Sequence, residues 1–167
     1  RRFAPLLLLC VCTLASTLAC AEWPQKSIRF VVAAPGGSSV DIVARLIATQ
    51  LTTRLGQAVI VDNKPGAGGT LAAAEVAKSA PDGTTLLLGF NGPLANAPAL
   101  YAQLPYDPER DFAPVIFTGS QPNLLAVAAN VPANSLRELV ALAKAQPGKL
   151  TYASVGNGSV SHLCMEL

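Results

Sequence analysis

Apolar residues follow two different patterns along the chain after residue 27. Continuous apolar runs at 28–34, 58–61 and 84–88 are typical of strands buried on both faces of a sheet. Between these runs, apolar residues recur at helical spacing over 40–55 and 71–78. Gly56 follows the first helical segment, which is a common helix stop. The alternation predicts an α/β fold in which parallel strands are joined by right-handed crossovers.

The pattern is looser in the second half of the chain. Residues 89–111 contain four prolines and no clear period. Apolar runs at 115–117, 124–128 and 150–154 predict three more strands. Ser135 and Glu138 fit a capping box, so a helix is expected to begin there. A final helix is expected after the glycine-rich residues 156–159.

The first residues have the organisation of an export signal. Arg1 and Arg2 precede an apolar stretch over 3–19, and Ala19-Cys20-Ala21 supplies small residues for cleavage. The stretch is short for a bilayer span, which needs about 20 apolar residues. The pattern predicts a signal peptide at 1–21, cleaved near Ala21, and hence a periplasmic protein. An uncleaved anchor and a lipidated Cys20 remain alternatives.

Composition and charge exclude several classes of protein. The 167 residues are 51% hydrophobic and 13% charged, enough apolar content to bury a core. Without Arg1 and Arg2, ten basic side chains balance ten acidic ones, and no basic cluster indicates nucleic-acid binding. Cys164 is the one cysteine after the signal, and His, Cys and carboxylates do not cluster. We therefore expect no disulfide framework, no metal site and no cofactor.

Two segments share the order strand, Gly/Ser-rich turn, helix start. They lie at 33–41 and at 153–159. Up to four N–H groups at a helix start lack partners, and the helix dipole adds partial positive charge there. A carboxylate can therefore bind without a cationic side chain. The alternative is an ordinary βα turn in which Gly and Ser serve geometry and capping.

Motifs of the common enzyme classes are incomplete in this sequence. The first loop lacks the Lys and Ser/Thr of a nucleotide P-loop, and Leu71 replaces the third glycine of a dinucleotide fingerprint after Gly66 and Gly68. His162 is the only histidine, and no Gly-x-Ser-x-Gly elbow accompanies it. We expect a binding protein rather than an enzyme. Asp41 is either a ligand-facing acceptor or a helix cap.

Three segments carry a resemblance to a known family. VDNKPGAGGTLAAAEVAKSAPDGTTLLLG, LYAQLPYDPERDFAPV and GKLTYASVGNGSVSHL resemble stretches of the Bug family, the extracytoplasmic receptors of tripartite tricarboxylate transporters. The resemblance extends almost continuously from Trp23 to Leu167. It implies a periplasmic-binding-protein-like α/β fold of type II, a Venus flytrap with two domains of βα units, truncated here. The implied division is a first domain at 22–120 and an incomplete second domain at 121–167.

The resemblance also implies where the ligand binds. The two Gly/Ser-rich loops would face each other across the interdomain cleft, and the loop after the third strand would line it. Ser38 and Val40 depart from the residues usual in the family. The implied ligand-binding residues are Ala34, Pro35, Gly36, Gly37, Ser38, Ser39, Asp41, Asn91, Ser154, Gly156, Asn157, Gly158, Ser159 and His162.

The resulting hypothesis is a receptor that captures a small carboxylate-bearing metabolite and delivers it to the membrane permease subunits of a transporter. Nucleic acid is not among its expected partners. One alternative is an exported enzyme acting on a carboxylate, which needs a general base that the sequence offers only in His162 or isolated acids. Another is a truncated fragment without function of its own, whose uncovered apolar surface would favour aggregation.

Overall fold

A parallel sheet of three strands forms the centre of the molecule. The structure is a computed structural model that describes residues 23–167, so the predicted export signal lies outside the described residues. Strand β1 (Ile28–Val32) lies between β2 (Val59–Asn63) and β3 (Thr85–Leu88), in the order β2-β1-β3. Both pairings are parallel, which confirms the predicted α/β class.

The helices lie close to the ranges that the apolar spacing predicts. Helix α1 (Ser39–Leu55) connects β1 to β2, and α2 (Thr70–Ala77), preceded by a 3-10 turn at Ala67–Gly69, connects β2 to β3. The proline-rich stretch contains a π-helical turn (Gly92–Asn96) that runs into the short helix α3 (Ala97–Leu100). Helices α4 (Leu136–Ala145) and α5 (Val160–Glu166) follow.

The sheet is covered on both faces, which explains why β1 is apolar throughout. Alternate residues of a strand point to opposite faces. Ile28, Phe30 and Val32 pack with Ala44 of α1, whereas Val31 packs with Ala72 of α2. Burying each of the large apolar side chains Ile28, Phe30, Val31 and Val32 contributes about 1.5–3 kcal/mol. The two layers fix the carboxyl ends of the strands, from which the next loops emerge.

Three predicted strands do not form in the part of the chain that the structure describes. Residues 115–117, 124–128 and 150–154 have no ladder partner, and the prediction of strands there is wrong for this structure. Val115, Ile116 and Phe117 are each 79% exposed and Leu124 is 91% exposed. A strand needs a hydrogen-bonded neighbour, and none of these segments joins the β2-β1-β3 sheet.

No helix within residues 23–167 combines the length and the apolar content that a membrane crossing requires.

Candidate functional site

A cavity of about 520 Å³ lies at the carboxyl ends of the three strands. In open parallel sheets this edge is where ligands usually bind. The wall combines residues that follow each strand with residues 155–157 and 159, which precede α5. The lining residues are Ala33, Pro35, Pro65, Gly66, Ala67, Gly68, Gly69, Phe90, Tyr101, Val155, Gly156, Asn157 and Ser159.

The start of α1 is closed by two reciprocal hydrogen bonds. The Ser38 Oγ atom accepts from the Asp41 N–H at 3.3 Å, and the Asp41 carboxylate accepts from the Gly37 N–H at 2.8 Å. Ser38 has φ −70° and ψ 162°, and the preceding Gly37 has φ +82°. The arrangement differs from a capping box in one bond: the Asp41 carboxylate accepts from Gly37, the residue before the N-cap, whereas the Ser38 N–H donates to the Pro35 carbonyl.

The start of α5 repeats this geometry with a different side chain. The Ser159 Oγ atom accepts from the His162 N–H at 3.2 Å, and His162 Nδ1 accepts from the Gly158 N–H at 3.3 Å. Ser159 has φ −69° and ψ 158°, and Gly158 has φ +77°. The two Gly/Ser-rich loops therefore share one backbone motif, which is completed by a carboxylate in the first loop and by an imidazole in the second.

The Asp41 carboxylate is hydrogen-bonded to three groups of its own chain. Asp41 is 2% exposed, and it accepts from Arg45 Nε at 3.0 Å and from Asn63 Nδ2 at 2.9 Å in addition to Gly37. The hydrogen bond from Arg45, followed by those from Gly37 and Asn63, lowers the pKa of Asp41 to about 2. Asp41 thus fixes the first loop to α1 and β2. It does not line the cavity, and its contact with ligand stays a prediction.

Four of the residues predicted from the sequence line the cavity: Pro35, Gly156, Asn157 and Ser159. Ser159 is 3% exposed, and its hydroxyl is 3.0 Å from that of Ser161. The remaining predicted residues are in or beside the same loops without forming the wall. These are Ala34, Gly36, Gly37, Ser38, Ser39, Asp41, Asn91, Ser154, Gly158 and His162. Their roles in binding stay predictions.

Several residues of the wall were not among the sequence-based candidates. The Gly66–Gly69 turn forms part of the wall because β2 is next to β1 and the loops that follow these two strands emerge side by side. Phe90 follows β3, one residue before the predicted Asn91. Tyr101 reaches the wall because the turn at Gly92–Asn96 and α3 place it there, which no local motif indicates.

The second half of the chain also contacts the start of α1. Gln121 Nε2 donates to Ser39 Oγ at 2.6 Å. Within residues 23–167, no group of three or more His, Cys, Asp or Glu residues is arranged to hold a metal ion.

Comparison with known proteins identifies the family. The model of the tripartite tricarboxylate transporter family receptor matches residues 43–167. A UPF0065 protein of Bordetella bronchiseptica is 47% identical over 144 residues, covering 86% of this chain and 42% of that protein. BugT of Bordetella pertussis is 38% identical over 155 residues, covering 92% and 48%. The chain therefore spans about half the length of these relatives.

Solved structures agree with this assignment. An R. palustris protein with adipate has a TM-score of 0.82 at 38% identity, covering 87% of this chain and 48% of that one. MatC from Rhodopseudomonas palustris with bound malate has a TM-score of 0.79 at 38% identity, covering 86% and 49%. These likenesses confirm the predicted periplasmic-binding-protein-like fold class and the resemblance to the Bug proteins. The chain belongs to the family of tripartite tricarboxylate transporter receptors.

Proposed function

We propose that this chain is part of a periplasmic receptor that holds a small carboxylic acid in the cavity at the carboxyl ends of β1, β2 and β3. The observation that carries the proposal is that the loops before α1 and α5, which share one helix-start motif, both contribute residues to the wall of this cavity. Pro35 contributes from the loop before α1, and Gly156, Asn157 and Ser159 contribute from the loop before α5.

The amide groups at these helix starts suit an anionic ligand. Among the described residues, no acceptor binds the N–H groups of Ser39 and Val40 in α1 or those of Val160 and Ser161 in α5. These are the donors that a helix start leaves available, and the helix dipole reinforces them. Ser159 and Asn157, which both line the cavity, add a hydroxyl and an amide group to the loop before α5.

The remaining wall suits the carbon skeleton of such a ligand. Phe90, Tyr101, Pro35 and Pro65 present apolar surface to the cavity. Relatives with adipate and with malate support a small organic acid as the ligand of this chain. The two domains implied by the family, 22–120 and 121–167, would close over this acid. The membrane permease subunits of the transporter would then receive it unchanged.

Calorimetric titration of the full-length protein tests this function. We expect binding of adipate, malate or citrate, and no binding of adipamide, which keeps the carbon chain of adipate but lacks its charges. The bound acid should be recovered unchanged by chromatography, whereas turnover would favour an exported enzyme. Failure of all three acids to bind, or equal binding of adipamide, would contradict the proposal.

A further inference from the structure

The Gly66–Gly69 turn forms part of the cavity wall and is next to the loop before α5. Gly66, Gly68 and Gly69 all have positive φ, at +125°, +62° and +94°. The turn follows β2 and leads into α2, so the β2-β1-β3 sheet holds it in place. Its own position is therefore fixed by the packed part of the molecule.

Gly68 is in direct backbone contact with the loop before α5. A Cβ atom built on Gly68 would lie 2.5 Å from the carbonyl oxygen of Asn157. Real Cβ atoms do not come this close to a backbone oxygen, so a side chain at position 68 requires one of the two loops to move. A Cβ atom on Gly92 would also lie 2.8 Å from the Gly68 carbonyl oxygen. Both Asn157 and Gly92 therefore approach Gly68 closely.

A second contact holds the same loop nearby. Asn96 Nδ2 donates to the Gly158 carbonyl oxygen at 2.8 Å. Leu100 packs beside Gly158, where an added Cβ atom would lie 2.9 Å from Leu100 Cδ1. The loop before α5 thus contacts Gly68, Asn96 and Leu100.

We infer that Gly68 is a positioning residue for ligand binding: the absence of a side chain at this position sets the separation of the two walls of the cavity. With any side chain at 68, the loop that carries Asn157 and Ser159 stands further from Pro35 and Phe90. The ligand then loses simultaneous contact with both walls. This inference rests on the proposed function, because it concerns the same cavity.

The test compares Gly68→Ala with Gly56→Ala in the full-length protein. Gly56 has φ +66° and no atom within 4 Å of an added Cβ, so its substitution introduces similar backbone strain without a clash. Both variants should melt at lower temperature than the wild type. Only Gly68→Ala should accelerate amide hydrogen exchange over 156–162. Only Gly68→Ala should weaken the binding of adipate, malate or citrate, whichever the wild type binds, by roughly tenfold, the effect of about one lost hydrogen bond.

A second variant keeps the inference testable if Gly68→Ala does not fold. Asn96→Asp replaces the donor to the Gly158 carbonyl with an acceptor, so it repels the same loop without altering the Gly66–Gly69 turn. We expect faster exchange over 156–162 and weaker binding in this variant also. Unchanged exchange over 156–162 and unchanged affinity in Gly68→Ala, or in Asn96→Asp where Gly68→Ala does not fold, would overturn the inference. Absence of carboxylate binding by the wild type would instead overturn the proposed function, and the exchange measurement would still decide the role of Gly68.

Discussion

Asp41 and His162 occupy equivalent positions in two helix starts but differ in chemistry. Each accepts the N–H of the glycine before the capping serine. A carboxylate accepts hydrogen bonds whenever it is ionised, whereas an imidazole accepts only while it is neutral. The first loop also has Arg45 and Asn63 bound to its acceptor, so it is more firmly held than the second.

The pKa of Asp41 predicts acid sensitivity of the first loop. The folded-state pKa of about 2 is below the ordinary value of 3.8, so ionised Asp41 stabilises the folded protein above pH 3.8. This stabilisation should disappear as the pH falls from about 4 to about 2. Thermal melts of wild type and Asp41→Asn at pH 7 and pH 3 measure it. We expect a lower melting temperature for Asp41→Asn at pH 7 and a smaller difference at pH 3.

A matched control for this experiment is Glu109→Gln. The Glu109 side chain is exposed and makes no hydrogen bond or ion pair with another described residue. Its substitution removes the same charge without removing a partner. An equal loss of melting temperature in both variants, or a difference for Asp41→Asn that does not change with pH, would contradict a specific role of Asp41.

At the scale of elements, substitution of the two capping serines allows the contribution to helix stability to be measured separately from the contribution to ligand binding. Ser38 and Ser159 have almost the same backbone conformation and the same capping bond. Ser159, however, lines the cavity and Ser38 does not. The pair therefore allows the same chemical change to be made at two equivalent caps, only one of which is at the proposed binding surface.

We expect Ser38→Ala and Ser159→Ala each to lower the free energy of unfolding by about 0.5–2 kcal/mol, the usual cost of losing an N-cap. Only Ser159→Ala should also weaken carboxylate binding, by roughly threefold to tenfold, as expected for loss of one hydrogen bond. Urea denaturation and calorimetry measure the two effects. Equal affinities in the two variants would indicate that the Ser159 hydroxyl does not contact the ligand.

At the scale of the whole molecule, local patterns predicted the first half of the fold and failed where pairing is not local. The apolar run of β1 and the spacing of α1 identify these elements, because each is buried along its own length. The runs at 115–117 and 150–154 have strand-like composition, but composition does not supply a neighbouring strand.

The candidate site shows the same division between local and non-local information. The Gly/Ser-rich turns before α1 and α5 were recognisable as helix starts. The contribution of Tyr101 depends on how residues 92–100 fold back over the sheet, and that of Gly68 depends on the approach of Asn157. Neither arrangement can be predicted from a short stretch of sequence, because each depends on residues that are far apart along the chain.

The unpaired segments also predict how residues 23–167 behave when expressed alone. Val115, Ile116, Phe117 and Leu124 form exposed apolar stretches, and such surface favours self-association. Sedimentation should detect oligomers at micromolar concentration, and an apolar dye should bind.

Ile116→Lys with Phe117→Lys should reduce both signals, because charges on an extended segment oppose strand pairing between chains. Thr118→Lys adds a charge beside them without removing apolar surface, so it should have the smaller effect. A monomer without dye binding would show that this surface does not drive association.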